Sequence, residues 1–94
     1  MKFALPRILL KFSIIIPVYN NFELLQNCVE SVIKNSKKTN YEIIIIDDGS
    51  DIETKSFCEE LFKQKKIDKL LRNSISKGFS ISCNLGIKEI NNSD

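Results

Sequence analysis

Two isoleucine runs, each followed by a short polar turn, set the pattern of this chain. Phe12 to Val18 carries Ile14, Ile15 and Ile16 in succession, and Tyr41 to Ile46 carries Ile43 through Ile46. Strand-length runs of β-branched residues without polar alternation predict inner strands of a parallel sheet, covered on both faces. Pro17 lacks an N–H and marks where the first ladder must stop. Between the runs, Leu25, Cys28, Val29, Val32 and Ile33 recur at helical spacing, predicting a helix over 22–37 with Asn21 as its N-cap. A second helix is expected over 53–65, with Phe57, Leu61 and Phe62 inward, and a shorter third strand over 67–72. Ser74, Ser76 and Gly78 make 73–79 a loop. A third helix over 80–90 uses Ile81, Leu85 and Ile90, although Gly86 lowers its intrinsic stability. The order β-α-β-α-β-α predicts an α/β fold with a mostly parallel sheet and right-handed crossovers.

The chain has 94 residues, 43% hydrophobic and 28% charged. That composition fits one soluble globular domain. Residues 1–11 are read as a lead-in and 12–94 as the domain. Pro6, Arg7 and Lys11 interrupt the lead-in, so it has no apolar run of signal-peptide length. The apolar runs elsewhere are strand-sized, too short to span a membrane. Net charge is only +2, too small a field to predict nucleic-acid binding. Its lysines gather at predicted helix ends, Lys34, Lys37 and Lys38 at one and Lys63, Lys65 and Lys66 at another, where cations complement the helix dipole. A peripheral contact with anionic lipid is the other reading of those clusters. Cys28, Cys58 and Cys83 form no C-x-x-C pair and the chain has no histidine. Neither a zinc site nor a thiol–imidazole pair can be assembled from them, and they are expected to be free core thiols in a reducing cytoplasm.

In an open parallel sheet, ligands bind beyond the carboxyl ends of the strands. The residues there are Pro17-Val18-Tyr19-Asn20-Asn21 after the first strand and Asp47-Asp48-Gly49-Ser50 after the second. An aromatic ring beside a carboxylate suits a nucleobase, since the ring can stack on the base while the carboxylate accepts from a base or ribose donor. Phosphate would be repelled by these carboxylates unless a divalent cation stood between them. The same residues also allow a plainer reading, with Tyr19 a packed aromatic and Asp48 a turn or cap residue. A dinucleotide-binding glycine fingerprint and a P-loop are both excluded, because the loop after the first strand contains no glycine.

Three segments carry a resemblance: Phe12 to Asn21 (FSIIIPVYNN), Tyr41 to Ser50 (YEIIIIDDGS) and Lys77 to Gly86 (KGFSISCNLG). In this order, each at a strand end, they resemble the opening of family 2 glycosyltransferases over nearly the whole chain from Phe12. The resemblance implies the nucleotide-binding half of a GT-A fold, in which a nucleoside diphosphate sugar, often UDP-linked, gives its sugar to a glycan or lipid-linked acceptor with inversion. It places Pro17 and Tyr19 in the base pocket and Asp48 on the base. Asp47 is assigned to base or ribose, and Gly78 and Asn84 to a loop and helix near the donor. Lys77 is placed within reach of a phosphate. Ser76 and Ile52 depart from the family's usual Asn and Asp.

The resemblance also implies a divalent cation, Mg or Mn, for the complete enzyme, with ligands outside this chain. The metal motif and the general base are expected beyond Asp94, so that the chain would be a fragment needing a complementary C-terminal portion and inactive alone. A nucleotide-binding or regulatory module without turnover, or an interaction domain without nucleotide affinity, remains the alternative. The location implied is cytoplasmic, with peripheral membrane contact at the inner face and a role in cell-envelope polysaccharide synthesis.

Overall fold

The computed structural model describes residues 12–35 and 41–91. The expectations for residues 1–11, for Lys37 and Lys38, and for Asp94 lie outside them. Six elements follow the predicted order: β1 (Phe12–Val18), α1 (Phe22–Asn35), β2 (Tyr41–Asp48), α2 (Ile52–Lys63), β3 (Lys69–Asn73) and α3 (Phe79–Asn91). The strands form one parallel sheet in the order β1-β2-β3.

Strand alternation sends successive residues to opposite faces, and the two faces have separate covers. Ile43 and Ile45 of β2 join Val18 of β1, Leu25 and Val29 of α1, and Cys58 and Leu61 of α2 in one buried cluster. Ile44 and Ile46 point the other way, toward α3. Gly86 lets α3 lie flat on that face: a Cβ there would stand 2.6 Å from Ile15 Cγ2 and 2.9 Å from Ile46 Cδ1. The glycine that weakens α3 as an isolated helix is therefore what allows its close docking. All four isoleucines of β2 are fully buried, each stabilising by about 1.5–3 kcal/mol relative to exposure.

Several boundaries differ from the sequence expectation for local reasons. β2 continues through Asp47 and Asp48, because these residues pair in register with Arg72 and Asn73 of β3. α2 is capped by Asp51, whose carboxylate accepts from Thr54 N–H at 3.0 Å. It stops two residues early because Lys65 adopts a left-handed conformation, φ 62°. There Lys66 N–H donates to Leu61 C=O at 2.9 Å and Lys65 N–H to Phe62 C=O at 3.0 Å, the paired bonds of a Schellman ending. Ile67 is buried yet precedes β3. Cys58 is buried as expected of a core thiol, whereas Cys28 is exposed and Cys83 only partly covered. Phe62, expected on the inner stripe of α2, is exposed, and Phe57 instead meets Phe22 edge-on at 4.8 Å between ring centroids.

Candidate functional site at the carboxyl ends of the strands

The Asp47-Asp48 pair is split by the pleat. Asp47 points to the face covered by α1 and α2, and Asp48 to the face covered by α3, so adjacent carboxylates serve different structures.

Asp48 is 5% exposed and holds the loop between β3 and α3. Its Oδ1 accepts from Asn73 Nδ2 at 2.9 Å and Lys77 N–H at 2.7 Å. Its Oδ2 accepts from Ser76 Oγ and Gly78 N–H, each at 2.9 Å. Two acceptances per oxygen fill the capacity of a carboxylate. Burial by itself would raise the Asp48 pKa, but hydrogen bonds from Lys77, Asn73, Gly78 and Ser76 outweigh it and hold the group well below the usual carboxylate range. Two glycines make this arrangement possible. Gly78 has φ 100°, a left-handed backbone in open space, so its requirement is conformational. Gly49, at φ 77°, also lies so near the loop that a Cβ would fall 2.7 Å from Ser76 N.

Asp47, 2% exposed, pairs with the guanidinium of Arg72 through Oδ2. Its Oδ1 accepts from Ser50 N–H at 3.0 Å. Arg72 Nη2 also donates to Ser50 C=O at 3.3 Å. The turn is in turn tied to β1: Asn20 N–H donates to Ser50 Oγ, and Asp51 N–H donates to Asn20 Oδ1, both at 2.8 Å. Asn20 and Asn21 hold left-handed conformations, φ 57° and 56°, which asparagine tolerates better than most residues. The expected Asn21 cap is present as a long contact to Leu24 N–H at 3.4 Å.

Above Asp48 opens a pocket of about 170 Å³ lined by Pro17, Val18, Tyr19, Asp48, Phe79 and Ser82. Pro17, Tyr19 and Asp48 are thus brought together at one pocket. Tyr19 is 59% exposed, an available ring and not a packed one. Lys77 and Gly78 border the site through backbone N–H groups on Asp48. Asn84 is exposed on α3 and does not line the pocket, and Asp47 lies on the opposite face. Sequence reasoning passed over Phe79, Ser82, Asn73 and Arg72. The last two occupy the same strand-end level as the acidic pair, which was the available signal. A larger hollow of about 360 Å³, bordered by Leu24 and Cys28, lies between the end of β1 and the start of α1 and shares Pro17 and Tyr19.

A parallel α/β sheet with its polar turns and pocket beyond the carboxyl ends of its strands is a Rossmann-like domain. Within that class the chain belongs to glycosyl transferase family 2, whose sequence model matches residues 13–92. It is 32% identical over 75 residues to Glycosyltransferase GlyG of Streptococcus pneumoniae serotype 4, covering 80% of this chain and 25% of that protein. The crystal structure of S. aureus TarS superposes with a TM-score of 0.70 at 26% identity, over 84% of this chain and 14% of TarS. Mannosyltransferase PcManGT from Pyrobaculum calidifontis, in complex with GDP-Man and Mn2+, gives a TM-score of 0.73 over 84% of this chain and 24% of its own. At 16% identity that likeness bears on fold alone. The fold is part of the GT-A architecture, and the chain spans about a quarter of GlyG and less of TarS.

Among the described residues, no group of three or more His, Cys, Asp or Glu converges where a metal ion could be held. Asp47 and Asp48 already accept from N–H and O–H donors. These residues do not fit a divalent cation. No helix among the described residues is long and apolar enough to cross a membrane.

Proposed function

We propose that this chain forms the donor-nucleotide side of a glycosyltransferase site and binds a nucleoside diphosphate sugar, UDP-linked, for inverting transfer. The observation that supports this is the pocket in which Pro17 and an exposed Tyr19 stand over Asp48 at the carboxyl ends of two parallel strands. A ligand site for a whole molecule of this size usually spans about 300–1,000 Å³. The pocket therefore takes one ring of the donor, the base, and leaves ribose, diphosphate and sugar outside it.

Tyr19 supplies the stacking face. Asp48 acts through the loop it holds, since four donors already fill its acceptor positions; direct contact with a base donor requires one of them to give way. Lys77, exposed beside that loop, is assigned to a donor phosphate, and Gly78 to the loop turn that keeps the approach open. Asp47 supports the ribose side only indirectly, through Ser50 and Asn20. Asn84 is left to contacts with the donor beyond the pocket. The sugar transfer itself, the acceptor, the cation and any approach to a membrane surface are assigned to the assembled enzyme and rest on family membership.

Calorimetric titration of the chain with UDP and with GDP tests this reading. The wild type is expected to bind UDP, and Tyr19→Ala to weaken binding while leaving the circular dichroism spectrum unchanged. A folded wild-type chain that binds neither nucleotide would refute it.

A further inference from the structure

Phe79 is the first residue of α3, and 73% of its surface is exposed. A single exposed apolar side chain on a small domain needs no special explanation. Phe79 differs from the other exposed apolar residues because it lines the pocket over Asp48, which Tyr19 also borders. They reach it from different parts of the chain, Tyr19 from the end of β1 and Phe79 from the start of α3. Pro17 and Val18 make the remaining wall apolar, and the polar groups there are Asp48 and the fully buried Ser82.

The position of Phe79 is also fixed. Gly78, immediately before it, donates its N–H to Asp48 at 2.9 Å and holds φ at 100°, a value that L side chains rarely adopt. Ser82 N–H closes the first turn of α3 on Gly78 C=O at 3.1 Å. The backbone on both sides of Phe79 is therefore anchored, one side to β2 and the other to the helix. With the backbone anchored, only the two side-chain torsions of Phe79 remain to be ordered when a ligand arrives, so much of a stacking contact is available for affinity.

We propose that Phe79 is a second aromatic wall of the base pocket and a determinant of nucleotide affinity, contacting the base together with Tyr19. This rests on the nucleotide reading above and adds to it a residue on the α3 side of the pocket. A base is the favoured occupant because the space takes one ring, two aromatic side chains border it, and a planar heterocycle has a π-face for each.

The chain contains no tryptophan, so Phe79→Trp would place a single indole reporter at this wall. UDP is expected to quench that indole, with a Kd within about threefold of the wild-type value from calorimetry, because the larger ring still stacks. Phe79→Ala should raise the UDP Kd by roughly 5- to 150-fold, the range corresponding to loss of one base–aromatic stack. Phe79→Leu, apolar but without a π-face, should fail to restore affinity, and uridine should show the same ratio between wild type and Phe79→Ala as UDP. Since the ring is exposed, all three variants should keep the wild-type circular dichroism spectrum.

The inference is overturned if Phe79→Ala or Phe79→Leu binds UDP within about twofold of wild type, or if saturating UDP leaves the indole emission unchanged. It is also overturned if the loss appears with a UDP-sugar but not with uridine, which would put Phe79 on the sugar. In these cases wild-type binding persists and the nucleotide reading stands. Absence of any wild-type binding to UDP or GDP removes both.

Discussion

Replacing Asp48 by asparagine removes one charge and changes one atom, and the structure gives the size of the effect. If the amide oxygen takes the place of Oδ1, the bonds from Asn73 and Lys77 survive as neutral hydrogen bonds. The new NH2 then faces Ser76, whose hydroxyl can rotate to accept, and Gly78 N–H, which cannot. Hydrogen bonds to a charged group contribute about 1.5–3 kcal/mol against 0.5–1.5 for neutral ones. Three weakened bonds and one lost bond, offset in part by relief of the cost of burying a charge and by water at exposed Gly78, amount to about 2–3 kcal/mol. For a domain of this size that is a fall in Tm of roughly 10–20 °C. The pH dependence supplies a second signature. The folded pKa of Asp48 lies well below its unfolded value of about 3.9, so its stabilisation is present above that value and lost as pH falls. Between pH 5 and pH 3 the wild type should lose about 1 kcal/mol of its advantage over Asp48→Asn. Urea denaturation of both proteins at pH 7, 5 and 3 measures this. A variant melting within about 2 °C of wild type at pH 7, or a gap that stays constant from pH 5 to pH 3, would refute the role assigned to Asp48.

Four further outcomes are expected. Arg72→Met strands the buried Asp47 carboxylate; because the Arg72 side chain is itself 32% exposed, the cost should be about 2 kcal/mol, below that of a fully buried pair. Urea denaturation should show the Asp47→Asn/Arg72→Met double variant recovering stability, and no recovery would count against the pairing. Lys65→Gly relieves the left-handed backbone at the end of α2 and should stabilise by about 0.5–1 kcal/mol; a lowered Tm would contradict the cap. Gly86→Val places a side chain where Ile15 and Ile46 already stand, and calorimetric melting should show a loss of at least about 1–3 kcal/mol. For the thiols, alkylation followed by mass spectrometry at pH 8 should label exposed Cys28 in the native chain. Cys58, pushed up to about 12 by burial and by the charge of Asp47, should react only in denaturant.

The strands were legible because isoleucine runs of this length have few other uses. β1 spans the segment expected from its pattern, and the parallel order followed from helices intervening between strands. The ends of the elements were harder to read, because they depend on partners distant in sequence. Asp47 and Asp48 look like turn residues in isolation, yet pairing with Arg72 and Asn73 keeps them in the ladder. Lys65 ends a helix through a left-handed backbone that nothing about lysine announces. The pocket was legible in part for the same reason. Pro17, Tyr19 and Asp48 stand at predicted strand ends, whereas Phe79 reads as the last residue of a loop until α3 is seen to start there, directly after the Gly78 turn. Asn84 shows the converse, since a motif position on α3 need not face the pocket its motif accompanies.

The acidic residues that flank the β2 isoleucines have a second consequence, during folding. Each parallel pairing in this sheet must wait for a whole helical crossover to close, and the hydrogen-bonded partners Ser13 and Glu42 lie 29 residues apart. Until then four consecutive isoleucines are exposed, the kind of β-prone segment that seeds aggregation. Glu42 on one side and Asp47 and Asp48 on the other carry charge in the unfolded chain at neutral pH. They act as gatekeepers that discourage intermolecular stacking, and all three are buried once the sheet forms. Light scattering during refolding should therefore be low at pH 7 and rise steeply below about pH 4, where these carboxylates become protonated in the unfolded chain. Equal scattering at both pH values would rule out this protective role.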